Sequence, residues 1–161
     1  MIFVTVGTHT QSFNRLLKVV DELKKINKIE EEVVMQIGYS TYEPKNTKWF
    51  RFTDYKIIEK LNKNARIIIT HGGAGCILTA LSFDKPIIAV PRLRKYNEHT
   101  DDHQIDLVKN LDREGKLTAV FNLNNLEKTI KKIKRRGKRK KIRKPIMNDI
   151  RAYLNQISKY I

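Results

Sequence analysis

The feature that most constrains the fold is a regular alternation of short apolar segments with longer amphipathic ones. The apolar segments span four to six residues and are rich in Ile and Val, as in Ile67-Ile68-Ile69-Thr70. Such runs are typical of strands that are buried on both faces. Residues 12–27 instead place their apolar side chains at helical spacing. Strands separated by single helices predict right-handed βαβ units, and therefore an α/β fold with a doubly wound parallel sheet in one Rossmann-like domain.

The carboxyl ends of these strands are where a ligand is expected. In open parallel sheets, ligands bind in the crevice outside the carboxyl ends of the strands. The unusual residues of this chain follow the ends of four predicted strands, at Val6, Phe52, Thr70 and Val90. The predicted strands cover residues 1–6, 33–37, 48–52, 67–70, 86–90 and 117–120.

A glycine-rich turn, His71-Gly72-Gly73-Ala74-Gly75, joins a buried strand to a helix. The free N–H groups and the partial positive charge at a helix start favour an anion, and glycines let a phosphate approach the backbone. The turn matches neither the Walker pattern nor the dinucleotide Gly-x-Gly-x-x-Gly pattern. It predicts a phosphate site at Gly72, Gly73, Ala74 and Gly75, with a tight structural turn as the alternative.

A second candidate segment, Gly7-Thr8-His9, follows the first strand. Its N–H groups and hydroxyl are expected to point into the same cleft, so Gly7 and Thr8 are candidate phosphate ligands. His9 is a candidate general base or phosphate donor, since imidazole titrates near neutral pH. A structural loop histidine is the alternative.

The third candidate segment is polar and runs from Pro91 to Gln104 after a core strand. Carboxylates, amides and imidazoles recognise hydroxyl groups, so we expect it to contact a sugar or ribose. A polar helix cap is the plain alternative, and a metal site from His99, Asp102 and His103 is a further one. The candidate contact residues are Arg92, Glu98, His99, Asp102, His103 and Gln104.

The net charge of +16 is concentrated in one segment. Residues 131–144 carry eleven Lys or Arg and no acid, which leaves 22 basic against 17 acidic residues elsewhere, a net +5. Such a run suits anionic lipid headgroups or another polyanion, or it is a solvated surface. Neither an RNP-type aromatic motif nor a zinc finger accompanies it, which argues against nucleic acid. We predict a domain over residues 1–130, a basic linker over 131–144 and an amphipathic C-terminal helix over 145–161.

Cysteine content and hydropathy also indicate the cellular compartment of the protein. The single cysteine, Cys76, allows no internal disulfide; we interpret it as a buried apolar thiol, with a catalytic nucleophile as the alternative. The sequence contains neither a run long enough to span a membrane nor the pattern of a signal peptide. It predicts a protein of the cytoplasm or of the cytoplasmic face of a membrane.

Taken together, the three segments resemble a known family. The matching residues are 4–9 with Phe13, then 71–75, then Pro91-Arg92, Glu98-His99 and Asp102-His103-Gln104. They resemble the C-terminal, donor-binding domain of family-28 glycosyltransferases, which have the GT-B fold. The resemblance covers residues 1 to about 115. It is closest to the free-standing catalytic subunits of two-subunit UDP-sugar transferases, such as the eukaryotic dolichol-linked UDP-GlcNAc transferase and bacterial exopolysaccharide and capsule transferases.

The resemblance implies roles for these residues. The 72–75 turn would contact the donor diphosphate, while Phe52 and Thr53 would lie where the family holds the uracil ring. It departs from the family at Cys76, where Ser is common, and at Leu107-Val108, where the two-domain enzymes have Asn-Ala. Transfer would be metal-independent and inverting, without a cofactor beyond the UDP-sugar.

A GT-B site lies between two Rossmann-like domains, and a chain of this length supplies one half. We therefore predict a membrane-attached second subunit that holds a lipid-linked acceptor. A non-catalytic nucleotide-binding module that enhances a partner transferase, and a basic nucleic-acid-binding protein, are the alternatives.

Overall fold

A computed structural model describes residues 1–135, which form a six-stranded parallel sheet with helices on both faces. The strand order is β3-β2-β1-β4-β5-β6. The strands are β1 (Ile2–Thr5), β2 (Val33–Gln36), β3 (Lys48–Phe50), β4 (Ile67–His71), β5 (Ile87–Val90) and β6 (Thr118–Ala119). The helices are α1 (Asn14–Lys25), α2 (Tyr55–Asn64), α3 (Ala74–Leu81), α4 (His103–Arg113) and α5 (Leu126–Arg135), with short 3₁₀ turns at Arg94–Tyr96 and Leu123–Asn125. The predicted α/β fold is confirmed.

The central strands bury both of their faces, as their apolar sequences predict. Alternate residues of β1 and β4 enter two separate cores. Ile2, Val4 and Ile69 pack with α1 and α5 on one face, whereas Phe3 and Ile68 pack with α3 and α4 on the other. This two-sided burial explains why Ile67–Thr70 is almost wholly apolar.

The strand order places a topological switch point between β1 and β4. The chain winds outward from β1 to β2 and β3, then returns with β4 on the other side of β1. Because the two halves of the sheet wind in opposite directions, the loops after β1 and β4 separate and leave a crevice. The first two candidate segments, Gly7-Thr8-His9 and the 71–75 turn, both lie at this crevice.

One detail of α1 differs from the pattern of its sequence. Ser12 is well placed in the sequence to cap a helix, but α1 starts at Asn14 and has no side-chain cap. The Ser12 hydroxyl instead donates to the Tyr39 carbonyl at 3.4 Å, and the Ser40 hydroxyl accepts from the Phe13 N–H at 3.0 Å. The start of α1 is therefore tied to the loop after β2.

The C-terminal predictions fall mostly beyond the described residues. Helix α5 continues to Arg135, so the first five residues of the predicted linker over 131–144 are helical. The remainder of that linker and the predicted helix over 145–161 lie outside the described part of the chain. No helix within residues 1–135 is both long and apolar enough to cross a bilayer.

Candidate functional site

The centre of the site is the start of α3, where the 71–75 turn leaves β4. The helix begins at Ala74 after an extended Gly73, and none of the described side chains caps it. The first N–H groups of any α-helix have no partner inside the helix. Gly75 is exposed, and a Cβ built on it would have no neighbour within 4 Å among the described residues. The start of α3 is therefore an open set of N–H donors with room for an anion.

The His71 ring lies beneath this turn and fixes its shape. Its Nδ1 accepts the Gly73 N–H at 3.0 Å, so the neutral ring carries its proton on Nε2, 3.2 Å from the Cys76 sulfur. A Cβ on Gly73 would lie 2.1 Å from the ring, and a Cβ on Gly7 would lie 2.5 Å from it. Gly7 also has φ +71°, a conformation that favours glycine. Both glycines are needed so that the loops after β1 and β4 can close around this ring.

Burial, together with the positive charge of Arg92, lowers the pKa of His71 to about 3. The ring is therefore neutral at physiological pH. Burial also raises the pKa of the Cys76 thiol. A raised pKa keeps the thiol protonated, which favours a structural cysteine over a nucleophile, but Cys76 is half-buried and not the buried thiol that the sequence predicts.

Arg92 and Glu98, which were predicted to contact the nucleoside or sugar, are buried in a network that joins two loops. Arg92 is fully buried; its guanidinium donates to the carbonyls of Val6 at 2.9 Å, Gln11 at 2.7 Å and Glu98 at 3.0 Å. Arg15 donates to both carboxylate oxygens of Glu98, at 2.8 and 2.9 Å. Arg92 thus holds the loop after β1 against the loop after β5, and the Glu98 side chain ties the loop after β5 to α1.

Gln104 has a similar internal position. Its side-chain oxygen accepts the N–H of Gly72 at 2.9 Å and that of Arg92 at 3.1 Å. Gln104, in the first turn of α4, therefore fixes the loops that follow β4 and β5. Gln104 therefore shapes the 71–75 turn, and its side-chain oxygen is engaged by these two N–H groups.

His9 and His99 come together at the mouth of the crevice. Their ring centroids are 4.7 Å apart. Burial lowers the pKa of His9, and so do the neighbouring His99 and Arg92, while Asp101 raises it. The Nδ1 of His9 accepts the Gln11 N–H at 3.2 Å, so the neutral ring has its proton on Nε2. In this tautomer the Nε2 of His9 is an N–H donor, and as a general base through Nδ1 the ring would have to release the Gln11 N–H.

The remaining predicted residues lie around the rim. Thr8 is exposed, while Asp102 and His103 stand exposed at the start of α4, where an Asp102 oxygen accepts the Arg94 N–H at 2.9 Å. Phe52 and Thr53 follow β3, on the far side of the crevice. Within residues 1–135, no three His, Cys, Asp or Glu side chains converge to hold a metal ion, so His99, Asp102 and His103 do not form the metal site considered above.

Sequence reasoning missed Arg15 and Tyr39. Arg15 occupies a helical position that the sequence pattern assigns to solvent, and only the folded loops bring it to Glu98. Tyr39 follows Gly38 directly after a predicted strand, so the rule that ligands meet the carboxyl ends of strands could have found it. It lies 4.9 Å from Phe52, measured between ring centroids.

These features define a Rossmann-like domain with an open helix start at its switch point, the class of domain that binds nucleotides through their phosphates. The chain belongs to the glycosyltransferase family 28 C-terminal domain family, whose model matches residues 1–156. The match reaches well past residue 115, so the predicted extent of the resemblance was too short, and the basic residues over 131–144 lie inside the family region.

Individual relatives agree with this assignment. The human protein named UDP-N-acetylglucosamine transferase subunit ALG13 is 34% identical over 125 residues, which make up 72% of this chain and 10% of the human protein. The chain thus spans about a tenth of the length of that relative. A solution structure of ALG13 has a TM-score of 0.58, with 18% identity, and the likeness covers 86% of this chain and 87% of that structure. The glycotransferase of kitacinnamycin has a TM-score of 0.63 with 15% identity, covering 82% of this chain and 34% of its own. Both likenesses show the fold.

The neutral His71 predicts a specific loss of stability in acid. Its pKa is about 3 in the folded protein and 6.5 when unfolded, so the unfolded state binds more protons between these values. Stability should fall as the pH drops below 6.5, by about 1.4 kcal/mol per pH unit, or about 2 kcal/mol between pH 6.5 and 5. His71→Asn keeps an acceptor for the Gly73 N–H but cannot titrate. Urea unfolding at pH 7, 6 and 5 should show a flatter pH dependence for this variant, and equal slopes would contradict the assignment.

Proposed function

We propose that this chain is the donor-binding part of a glycosyltransferase that takes a sugar from a UDP-sugar and acts with a second, membrane-attached subunit. The observation that carries the proposal is the open start of α3 at the switch point, where exposed Gly75 lets a diphosphate approach unpaired N–H groups. Membership of the glycosyltransferase family supports the reaction class. The name of the ALG13 relative, a UDP-N-acetylglucosamine transferase subunit, supports both a UDP-sugar and a subunit role.

In the proposed reaction, an acceptor hydroxyl attacks the anomeric carbon from the face opposite the diphosphate. The bond from that carbon to the phosphate oxygen breaks, and UDP departs with the electron pair. N–H groups at the start of α3 would stabilise the negative charge that develops on UDP. A base takes the acceptor proton; His9 is the candidate on this chain, and the partner subunit is the other source. The proposal includes neither a metal nor a cofactor.

The acceptor and the location complete the proposal. We propose a lipid-linked acceptor held by the partner, with this chain peripheral to the cytoplasmic face of the membrane. The basic residues over 131–144 would add attraction to anionic lipid headgroups. The nucleoside would extend from the diphosphate towards Phe52 and Thr53. Glu98, Arg92 and Gln104 would act through the loops that they hold.

Thermal unfolding with UDP, UDP-GlcNAc, UDP-Glc, UDP-Gal and UDP-GlcA tests donor binding. A ligand that binds only the native state raises the melting temperature, and 100 times its Kd adds about 2.7 kcal/mol of stability. We expect UDP and at least one UDP-sugar to shift the transition, while CMP at equal concentration does not. If none of the uridine nucleotides stabilises the protein, the proposal is wrong. Binding without turnover in the presence of the partner would instead identify a non-catalytic module.

A further inference from the structure

Helix α2 carries a row of three lysines on its solvent face. Lys56, Lys60 and Lys63 are spaced four and three residues apart, so they lie on one side of the helix. All three are exposed, whereas Ile58 and Leu61, on the opposite side, pack against the core beneath the helix. These three residues, called the α2 lysine row below, therefore form the middle of the surface that α2 presents to its surroundings.

The charges of the α2 lysine row have no counter-charge in the domain. None of the three lysines forms an ion pair with any of the described residues. Lysines elsewhere on the domain do have acidic partners, since Lys48 lies 2.7 Å from Glu32 and Lys116 lies 2.6 Å from Glu114. Glu59 is the one acid of α2 and pairs with none of the row. A line of unpaired charges suits an extended anionic surface.

Two exposed apolar side chains flank the row and narrow the kind of surface that fits it. Tyr55 is 66% exposed, more than any other large hydrophobic side chain in the described part of the chain, and Ile57 is 46% exposed. Nucleic-acid backbones are contacted by cationic and polar groups, which leaves an exposed isoleucine without a role. Protein–protein interfaces are depleted in lysine. A lipid surface accommodates both kinds of side chain, because apolar groups enter the headgroup boundary while lysine ammonium groups stay among the headgroups.

The position of α2 agrees with contact to a membrane. The helix begins at Tyr55, shortly after β3 ends at Phe50, so its first turn lies at the carboxyl edge of the sheet. The crevice at the switch point opens at the same edge. A lipid-linked acceptor would have to reach that edge from the membrane. Contact through α2 would therefore hold the crevice close to the surface from which such an acceptor arrives.

We propose that the α2 lysine row, together with Tyr55 and Ile57, binds the anionic headgroup surface of a membrane. The inference rests on the proposed membrane location and goes beyond it, because it assigns the contact to a defined face of the folded domain. The lysines supply attraction to the headgroups, and the two apolar side chains add burial at the boundary with the acyl chains. Because the contact is largely electrostatic, it is reversible and weakens as salt is added.

Co-sedimentation of the full chain with vesicles tests this surface. The vesicles contain equal parts of phosphatidylglycerol and phosphatidylcholine, and vesicles of phosphatidylcholine alone show the part of binding that needs no charge. Each lysine near an anionic surface strengthens binding by about fivefold. Replacing the whole row, as Lys56→Gln, Lys60→Gln and Lys63→Gln together, should therefore weaken binding to the anionic vesicles by roughly 10- to 100-fold.

A second triple variant is the matched control. Lys18→Gln, Lys109→Gln and Lys128→Gln remove the same net charge from exposed positions on α1, α4 and α5. Charges more than about 8 Å from the lipid are largely screened at physiological salt, so this variant should bind the anionic vesicles within about threefold of the wild type. Both triple variants change only exposed side chains, and each should keep the melting temperature of the wild type to within a few degrees.

Three outcomes would overturn the inference. The first is a wild type that does not bind the anionic vesicles, and the second is a row variant that binds them as well as the wild type. The third is an equal loss in the two triple variants, because net charge alone would then account for binding. Polyuridylate is the competing polyanion: if the row variant lost as much affinity for it as for the vesicles, α2 would be a nucleic-acid surface, which also contradicts the inference.

UDP binding separates this inference from the proposed function. Thermal unfolding of the same proteins with UDP should give the wild-type shift in the row variant, because α2 lysines lie outside the start of α3. A wild type that binds anionic vesicles through the row but is stabilised by no uridine nucleotide would refute the proposed donor site and leave the lipid surface standing. A wild type that binds UDP while the row variant keeps full vesicle binding would do the reverse.

Discussion

Replacing Arg92 with methionine is expected to lower the free energy of unfolding by about 3–5 kcal/mol, because three buried carbonyls lose their donor and each such loss costs about 1–3 kcal/mol. Methionine fills much of the same space but donates no hydrogen bond. The carbonyls of Val6, Gln11 and Glu98 would then be buried without their present partner. Chemical denaturation at pH 7 measures the loss directly. The loops after β1 and β5 should loosen together, since Arg92 is bonded to both.

Arg94→Met is the matched control for this experiment. Arg94 lies two residues along the same loop, and its side chain is exposed. A surface substitution of this kind is expected to change stability by about 0.5 kcal/mol or less. The experiment also distinguishes two roles for Arg92. If Arg92→Met were as stable as the wild type but had lost UDP binding, Arg92 would be a direct ligand contact and the buried network described above would be wrong.

The second large effect is expected at Gly73. Its φ of −73° suits any residue, so a Gly73→Ala variant suffers only from contact with the His71 ring, 2.1 Å from the new Cβ. Overpacking of this kind typically destabilises by about 1–3 kcal/mol. In a His71→Ala background the ring is absent, and the same substitution should cost close to nothing. The double-mutant cycle should therefore give a coupling free energy of about 1–3 kcal/mol.

Gly75→Ala serves as the control, because it lies in the same turn with open space around its Cβ. Alanine inside a helix is favoured over glycine by about 0.5–1 kcal/mol, so this variant should match or exceed the wild type in stability. Additive effects of Gly73→Ala and His71→Ala would contradict the described packing. The cycle needs no ligand, so it tests the architecture of the turn independently of function.

The sequence was sufficient to predict the sheet because its signal is local. Each central strand is a short run of Ile and Val, and each helix shows its own periodicity, so β4 and α1 could be identified without knowledge of the fold. The position of the site loops could be predicted from one topological rule, because parallel strands bring their carboxyl ends to one edge of the sheet. The family predicted from the motifs is confirmed.

The direction in which a polar side chain points could not be predicted. Arg92, Glu98 and Gln104 have the chemistry of ligand contacts, but the structure turns all three inward to loop backbone and to Arg15. Sequence alone does not separate a polar group that faces a crevice from one that holds the crevice together. The partners lie up to 86 residues apart along the chain.

Asp21 shows the same limit on a helix. Sequence pattern assigns an acidic residue in the middle of α1 to solvent, yet Asp21 is 1% exposed. Its carboxylate accepts hydrogen bonds from the Tyr42 hydroxyl at 2.8 Å and from the N–H groups of Lys45 at 3.0 Å and Asn46 at 2.8 Å. Burial and the hydrogen bond to the Asp21 carboxylate raise the pKa of Tyr42 to about 12. Asp21 thereby holds the loop between β2 and β3 to α1. This contact is long-range, so no local sequence pattern predicts it.

UDP titration of Gly75→Asp tests whether the start of α3 binds the diphosphate of a uridine nucleotide, as we propose. A carboxylate in the first turn of a helix stabilises that helix by about 0.3–1 kcal/mol, so the variant should be as stable as the wild type or more so. The same carboxylate would occupy the anion site and repel the diphosphate. Lys128→Asp is the matched control, because it places a carboxylate in the first turn of α5, away from the crevice. Its neighbour Glu127 pairs with Lys28 at 3.9 Å. We expect Gly75→Asp to stay folded and to bind UDP about tenfold or more weaker than the wild type, equivalent to about 1.4 kcal/mol, while Lys128→Asp binds UDP normally. If folded Gly75→Asp bound UDP with wild-type affinity, the start of α3 would not be the diphosphate site.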